Sequence, residues 1–252
     1  MSNEKKIFHR GLKILKRSDA AYGVLSDLTK LKKFSLIFSK TFLRKKIIKN
    51  YIETQEIKKL TLGAGRTVLK GWLNTDLSPK LTAIIHLDVT DPFPFKNNTF
   101  DYIYGEHLIE HLSWDNALFM LKECRRILKP LGTVRFSTPD LKVLIDLYKP
   151  DKLGFGEKYI KSVTDRFLTG IKTYNASFII NNAFRNWGHL FLYDEVLFNM
   201  VFKMAGFTDI CRCLPWESKD PNLRGLEFQG KNSEELELAT FETMIFEGKK
   251  PN

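Results

Sequence analysis

The stretch that most constrains this chain runs from Lys58 to Asp76, K-K-L-T-L-G-A-G-R-T-V-L-K-G-W-L-N-T-D. A short apolar run, Leu60 and Leu62, breaks into Gly63-Ala64-Gly65, and a second run, Trp72-Leu73-Asn74, closes on Asp76. Two neighbouring strands of a parallel sheet written this way present a glycine turn and a carboxylate at the same edge. Glycines let backbone approach a ligand closely, and a carboxylate accepts two hydrogen bonds from a ribose diol. The stretch therefore reads as a nucleoside-binding edge. The dinucleotide fingerprint is incomplete, because the position of its last glycine is Val68.

A chain of 252 residues, 43% of them apolar, suits one main domain with a sizeable core. Cys124, Cys211 and Cys213 are odd in number, and Cys211-Arg212-Cys213 is too tight for ordinary disulfide or zinc spacing, so reduced thiols in a cytoplasmic protein are expected. Met1 to Arg17 is charged throughout and offers no apolar block of signal length, and no stretch reaches the length of a membrane span. A soluble protein is expected.

The net charge of +11 is concentrated at one end. Residues 1–60 hold 16 Lys and Arg against 5 Asp and Glu, while residues 61–252 hold 24 against 24. Leu25, Leu28, Leu31, Phe34, Leu36 and Ile37, then Phe42, Leu43, Ile47, Ile48 and Tyr51, recur there at roughly helical spacing with lysines between them. Residues 1–56 are thus expected to be a basic amphipathic helical arm. Such an arm packs on the domain as a lid, or touches an anionic membrane surface or a partner. Nucleic acid is not expected as a partner, since no RNA-binding module accompanies the charge.

Beyond Asp76 the pattern alternates as strand-helix-strand units do. Strands are expected at Ala83–Asp88, Phe100–Tyr104 and Thr133–Ser137. Helices are expected at Leu112–Leu128, stopped by Lys129-Pro130-Leu131-Gly132, and at Asp140–Tyr148. Residues 151–190 are less regular and read as an insertion or lid on the substrate side of the sheet. A helix at Tyr193–Ala205 stops at Gly206, and Phe207–Leu214 and Thr240–Phe246 read as closing strands.

L-T-L-G-A-G, N-T-D, L-D-V-T-D-P-F-P-F-K-N-N-T-F-D-Y-I-Y, E-H-L-I-E-H-L and L-K-E-C-R-R-I-L-K-P-L-G-T follow one another in this order. In that order and spacing they resemble the class I S-adenosylmethionine-dependent methyltransferases. More narrowly the chain is similar to small bacterial methyltransferases associated with surface-polysaccharide biosynthesis. Those also carry a W-G-H-x-F-x-Y stretch, here Trp187 to Tyr193, and an E-S-x-D-P-x-L-R-G-L-E stretch, here Glu217 to Glu227. The resemblance implies a Rossmann-like α/β fold over residues 57–252: a seven-stranded, mostly parallel sheet with one antiparallel strand near its end and helices on both faces. It implies S-adenosyl-L-methionine as cofactor, held by Gly63, Ala64, Gly65, Asp76, Leu77, Asp88, Val89, Gly105 and Glu106. Asp76 is expected to hold the ribose hydroxyls, Asp88 the adenine amino group, and Gly105 and Glu106 the methionine end. The cofactor has no phosphate, which agrees with the missing third glycine. Two departures stand out. The acidic residue usual two positions before the first glycine is Thr61 here, and the interval from Gly65 to Asp76 leaves room only for a truncated crossover helix.

Methyl transfer to a sugar hydroxyl needs a positioned nucleophile and a base, for which His107 or His189 is expected. His111, one turn beyond His107 on the same helix face, is expected to orient that helix. His107-Leu108-Ile109-Glu110-His111 also matches H-x-x-E-H, the inverted zinc-protease pattern, but it follows a strand in a nucleoside-binding series, and no metal is expected. The acceptor is expected to be a small molecule or saccharide; lipid-linked or RNA acceptors, or a non-catalytic cofactor-binding homologue, are the alternatives.

Overall fold

A computed structural model describes residues 44–149, 154–227 and 232–252. Residues 1–43, with most of the basic arm, residues 150–153, which take in the start of the insertion, and residues 228–231 lie outside the described residues. Residues 1–53 and 54–252 are separate units. Among the described residues, 44–54 are helical (α1).

The second unit is built on one seven-stranded sheet of order β3-β2-β1-β4-β5-β7-β6. Its strands are β1 (Lys59–Leu62), β2 (Leu73–Asp76), β3 (Ile84–His86), β4 (Phe100–Glu106), β5 (Leu128–Pro139), β6 (Thr208–Cys213) and β7 (Thr243–Lys249). β1 pairs in parallel with β2 and β4, β3 with β2 and β5 with β4, whereas β7 runs antiparallel to both β5 and β6. The strand order reverses between β1 and β4, which both run in the same direction; ligands of open parallel sheets sit outside the carboxyl ends at such a point.

The helices are α2 (Trp114–Ile127), α3 (Leu141–Asp146), α4 (Phe155–Phe167), α5 (Ala176–Arg185), α6 (Glu195–Ala205) and α7 (Ser233–Glu242). α2 is capped by Ser113, whose side chain accepts from Asn116 N–H, and buries Ala117, Met120, Leu121, Cys124 and Ile127 at helical spacing. It packs against α6, which ends where Gly206 takes φ +88°. Phe198 and Phe202 of α6 meet Phe246 of β7, and Phe202 also meets Phe136 of β5, with ring centroids 5.1–6.3 Å apart. These rings are fully buried and worth roughly 2 kcal/mol each in transfer free energy.

Alternation along β5 puts Arg135 on the opposite face from Phe136. Its guanidinium, wholly buried, donates Nε to Glu227 (2.5 Å) and Nη1 to Glu247 (2.6 Å), and Glu247 is its register partner on β7. Glu227 in turn accepts Trp216 N–H at 2.8 Å, so the segment after β6 is tied to the middle of the sheet. Asp220 accepts from Tyr102 Oη of β4 at 2.7 Å and from Asn222 N–H. The E-S-x-D-P-x-L-R-G-L-E stretch is therefore a clasp. It seats Leu223 and Leu226 on Trp72 and Tyr104, over the half of the sheet that has no crossover helix.

Several expectations change. The first crossover has no helix at all: Asn74 ties residues 69–72 into a tight loop, accepting from Leu69 N–H and donating to the carbonyls of Leu69 and Trp72. β3 is shorter than Ala83–Asp88, because Asp88 turns back to accept from Thr90. Within the expected irregular insertion the described residues form α4 and α5. With α3 they bury Leu144, Tyr159, Val163, Ile179 and Ala183 in a core of their own. Residues 240–242 belong to α7 and not to the last strand. That helix carries a full capping box, Asn232 with Glu235, a signal present in the sequence. Because α3 starts directly after β5, and α7 ends directly before the reversed β7, this helical layer lies at the carboxyl edge of the parallel strands.

Candidate active site

Gly63 and Gly65 follow β1 with φ of +64° and +58°, the left-handed region that only glycine enters cheaply. The turn is locked to β2: Ala64 N–H donates to the Thr75 carbonyl at 2.9 Å, and Gly65 N–H donates to Asp76 Oδ2 at 2.8 Å. Asp76 Oδ1 accepts Ser78 N–H at 2.7 Å. The carboxylate thus braces the loops on both sides while each oxygen keeps a further lone pair. At the end of β3, Asp88 Oδ1 accepts Thr90 N–H and Oγ1–H, and these bonds hold its carboxyl below the usual range. Leu77 is exposed and Val89 buried. Gly105 has a packing reason: a Cβ there would meet the Phe136 ring at 2.4 Å.

A cavity of about 290 Å³ opens on this edge, lined among others by Thr61, Gly63, Ala64, Gly65, Tyr104, Glu106, His107 and Leu226. A Cβ on Gly65 would meet nothing within 4 Å, so the turn faces open space. Thr61 Oγ1 is buried without a hydrogen-bond partner among the described residues. A buried hydroxyl left orphaned costs free energy unless a ligand satisfies it. These features fit a cofactor with a nucleoside at one end and a polar amino-acid end at the other.

His107 lines this cavity and also a second one of about 370 Å³. The expectation that His107 and His111 share a helix face is not met. Residues Ile109–His111 form a single 3-10 turn, His107 precedes it at φ +46°, and the α-helix begins only at Trp114. Instead His107 Nδ1 bonds Glu110 Oε1 at 3.0 Å and Nε2 bonds Thr243 Oγ1 at 3.1 Å. Burial pulls the imidazole pKa down, but the Glu110 hydrogen bond and charge outweigh it and leave it raised. Burial likewise pushes Glu110 up, and the same pairing brings it below its ordinary value. Glu110, fully buried, also accepts from Thr138 Oγ1 at 3.2 Å; sequence reading gave it no role.

His189 comes to the same cavity because the Glu110 carbonyl accepts both Leu190 N–H (2.8 Å) and Phe191 N–H (3.1 Å), pinning the W-G-H stretch on the 3-10 turn. Its Nδ1 bonds the Ala183 carbonyl at 2.7 Å. Burial holds its pKa below the ordinary histidine value against the opposing pull of that bond. The His189 ring meets His111 edge-on at 4.9 Å and Trp187 at 5.6 Å, and Trp187 meets Phe167 of α4 at 5.3 Å. Arg166, Glu235 and Glu242, from α4 and α7, add charge to this aromatic wall. Neither helix was assigned from the sequence, which expected residues 151–190 only as an irregular insertion or lid on the substrate side.

Residues 66–136 match the family described as methyltransferase domain, a segment running from the glycine turn to β5. Among solved structures the chain is similar to an S-adenosylmethionine-dependent methyltransferase from Mesorhizobium loti (14% identity, 78% of this chain, 92% of that one, TM-score 0.47). It is similar also to one from Archaeoglobus fulgidus (14% identity, 84% and 93%, TM-score 0.45). A third is phosphoethanolamine N-methyltransferase 2 of Haemonchus contortus bound to S-adenosyl-L-methionine (16% identity, 79% and 49%, TM-score 0.44). No curated protein sequence matches the chain. The methyltransferase-domain match lies over the carboxyl edge of a seven-stranded 3-2-1-4-5-7-6 sheet, and it supports an S-adenosylmethionine-dependent methyltransferase with S-adenosylmethionine as cofactor.

Proposed function

We propose that the enzyme methylates a hydroxyl of a sugar or saccharide intermediate, with the cofactor in the cavity at the glycine turn and the acceptor in the adjoining one. The observation that carries this reading is that the two cavities share His107. A nucleophile in one is thereby brought beside an electrophile in the other, and methyl transfer asks for little more than that approach.

Asp76 holds the ribose hydroxyls with the lone pairs its turn bonds leave over, and Asp88 takes the adenine amino group. Gly63, Ala64 and Gly65 let the backbone approach, Leu77 and Val89 flank the two carboxylates, and Gly105, Glu106 and Thr61 surround the methionine end. Bound there, S-adenosylmethionine supplies a methyl group on a positively charged sulfur. On the acceptor side, the Trp187 and Phe167 faces suit the C–H face of a sugar ring, while Arg166, Glu235 and Glu242 suit its hydroxyls. The imidazole wall of His107 and His189 handles the hydroxyl proton. Residues 151–190 act as the lid of this side.

No helix among the described residues is long and apolar enough to cross a membrane. The reading places the enzyme in the cytoplasm, with the basic N-terminal arm as a peripheral contact to the membrane where surface polysaccharide is assembled. A labelled-methyl transfer assay against nucleotide sugars and lipid-linked saccharides, read by mass, tests the acceptor. Label in no saccharide, with label in an amine or an RNA, would overturn it.

A further inference from the structure

We infer that Glu110, His111 and His189 form a divalent-metal site on the wall of the acceptor cavity, taking a Zn²⁺-class ion through one carboxylate oxygen and two imidazole nitrogens. One ligand atom from each residue lies within 4.8 Å of the other two. Neighbouring ligands on a tetrahedral ion are about 3.4 Å apart at ordinary bond lengths, so side-chain adjustments of about an ångström close the set.

The surroundings are those of ligands held for an ion. The Ala183 carbonyl can only accept, so His189 Nδ1 carries the hydrogen and Nε2 keeps a bare lone pair. The His111 side chain makes no hydrogen bond among the described residues; its ring stands edge-on to His189 instead. Glu110 is fixed from behind by His107 on one oxygen and Thr138 on the other, which leaves a lone pair of each oxygen unused. Its carbonyl, bonded to Leu190 and Phe191, is what carries His189 to the turn. All three residues line the cavity, so a fourth coordination position would open into it, as in sites that act on substrate. The arrangement differs from the zinc-protease use of H-x-x-E-H, because His107 is committed to Glu110 and Thr243 and does not join the ion.

The use of the ion rests on the methyl-transfer reading above; the existence of the site does not. An acceptor hydroxyl on the open position loses its proton more readily to water under the ion's charge. His189 is then a ligand, and the ion's charge activates the hydroxyl while water accepts the proton.

The test uses the whole chain with Cys211→Ser and Cys213→Ser, because those thiols and Glu247 make a second cluster able to take zinc. After chelation and dialysis, calorimetric titration with zinc chloride alone should show one ion per chain with Kd below about 10 µM. His111→Gln and His189→Ala should each weaken it at least about 100-fold. Zinc-edge X-ray absorption on the Cys→Ser protein, with no ligand variant, should show two imidazoles. No saturable binding, an unchanged Kd in both histidine variants, or a spectrum without imidazole would overturn the site and leave His189 as the base. S-adenosylhomocysteine binding, titrated separately, decides the cofactor reading whatever the metal does, and its retention in His189→Ala shows that variant folded.

Discussion

Replacing Arg135 with Met should be among the most damaging single changes in the domain, although Arg135 touches neither cavity. Arg135 is 0% exposed and neutralises Glu227, also 0% exposed, and Glu247. Removing one partner of a buried ion pair leaves an uncompensated charge and costs about 3–5 kcal/mol; here two carboxylates lose their partner, so the upper half of that range applies. A domain of this size loses about 2–4 °C of Tm per kcal/mol, which puts the drop at roughly 8–20 °C. Thermal unfolding followed by circular dichroism measures it. Neutralising the stranded charges, in Arg135→Met combined with Glu227→Gln and Glu247→Gln, should recover more than half of the loss, because glutamines keep acceptors for Trp216 without the buried charge. A single variant within 2 °C of the parent, or a triple variant no better than the single, would refute the view that the clasp is held electrostatically.

Three further outcomes are expected. Asp76→Ala removes the brace for Gly65 and Ser78 as well as the proposed ribose acceptor; at about 1.5–3 kcal/mol per bond to a charged group, S-adenosylhomocysteine affinity by calorimetry should fall at least about 100-fold. Gly63→Ala and Gly65→Ala both force a side chain into left-handed backbone, for about 1–2 kcal/mol, but only Gly63→Ala also meets a neighbour, Leu108 Cδ1 at 3.0 Å. Its Tm should therefore be the lower of the two, and equal values would count against this geometry. Trp187→Ala should raise the acceptor KM about 3- to 10-fold while leaving S-adenosylhomocysteine affinity unchanged; an unmoved KM would show that the ring does not touch the acceptor.

Much of the strand edge proposed for the cofactor was legible because it is local. The glycine turn, Asp76 and Asp88 each sit at the end of a strand whose apolar run marks it, and a parallel sheet brings successive strand ends to one edge whatever packs around them. Gly206 likewise ends its helix by a rule that needs only its own φ. The acceptor side was legible only in fragments. His107 and His189 could be suspected one at a time, but Glu110 could not, since its importance comes from being buried between His107, Thr138 and the backbone of residues 190–191. The helices of the insertion were missed because their apolar positions face one another in a separate small core, a pattern that aromatic- and Asn-rich segments disguise.

The sequence by itself determined the strand succession, the glycine turn and the two carboxylates, because hydrophobic period and backbone freedom are properties of neighbouring residues. Tertiary structure alone decided three things: that Arg135 would be bound by Glu227 and Glu247, that His107 would be tied to Glu110 rather than to a helix face shared with His111, and that His189 would come to rest beside His111. Each of these depends on the fold closing distant parts of the chain on one another, and only then do burial and charge say which partners a side chain can keep.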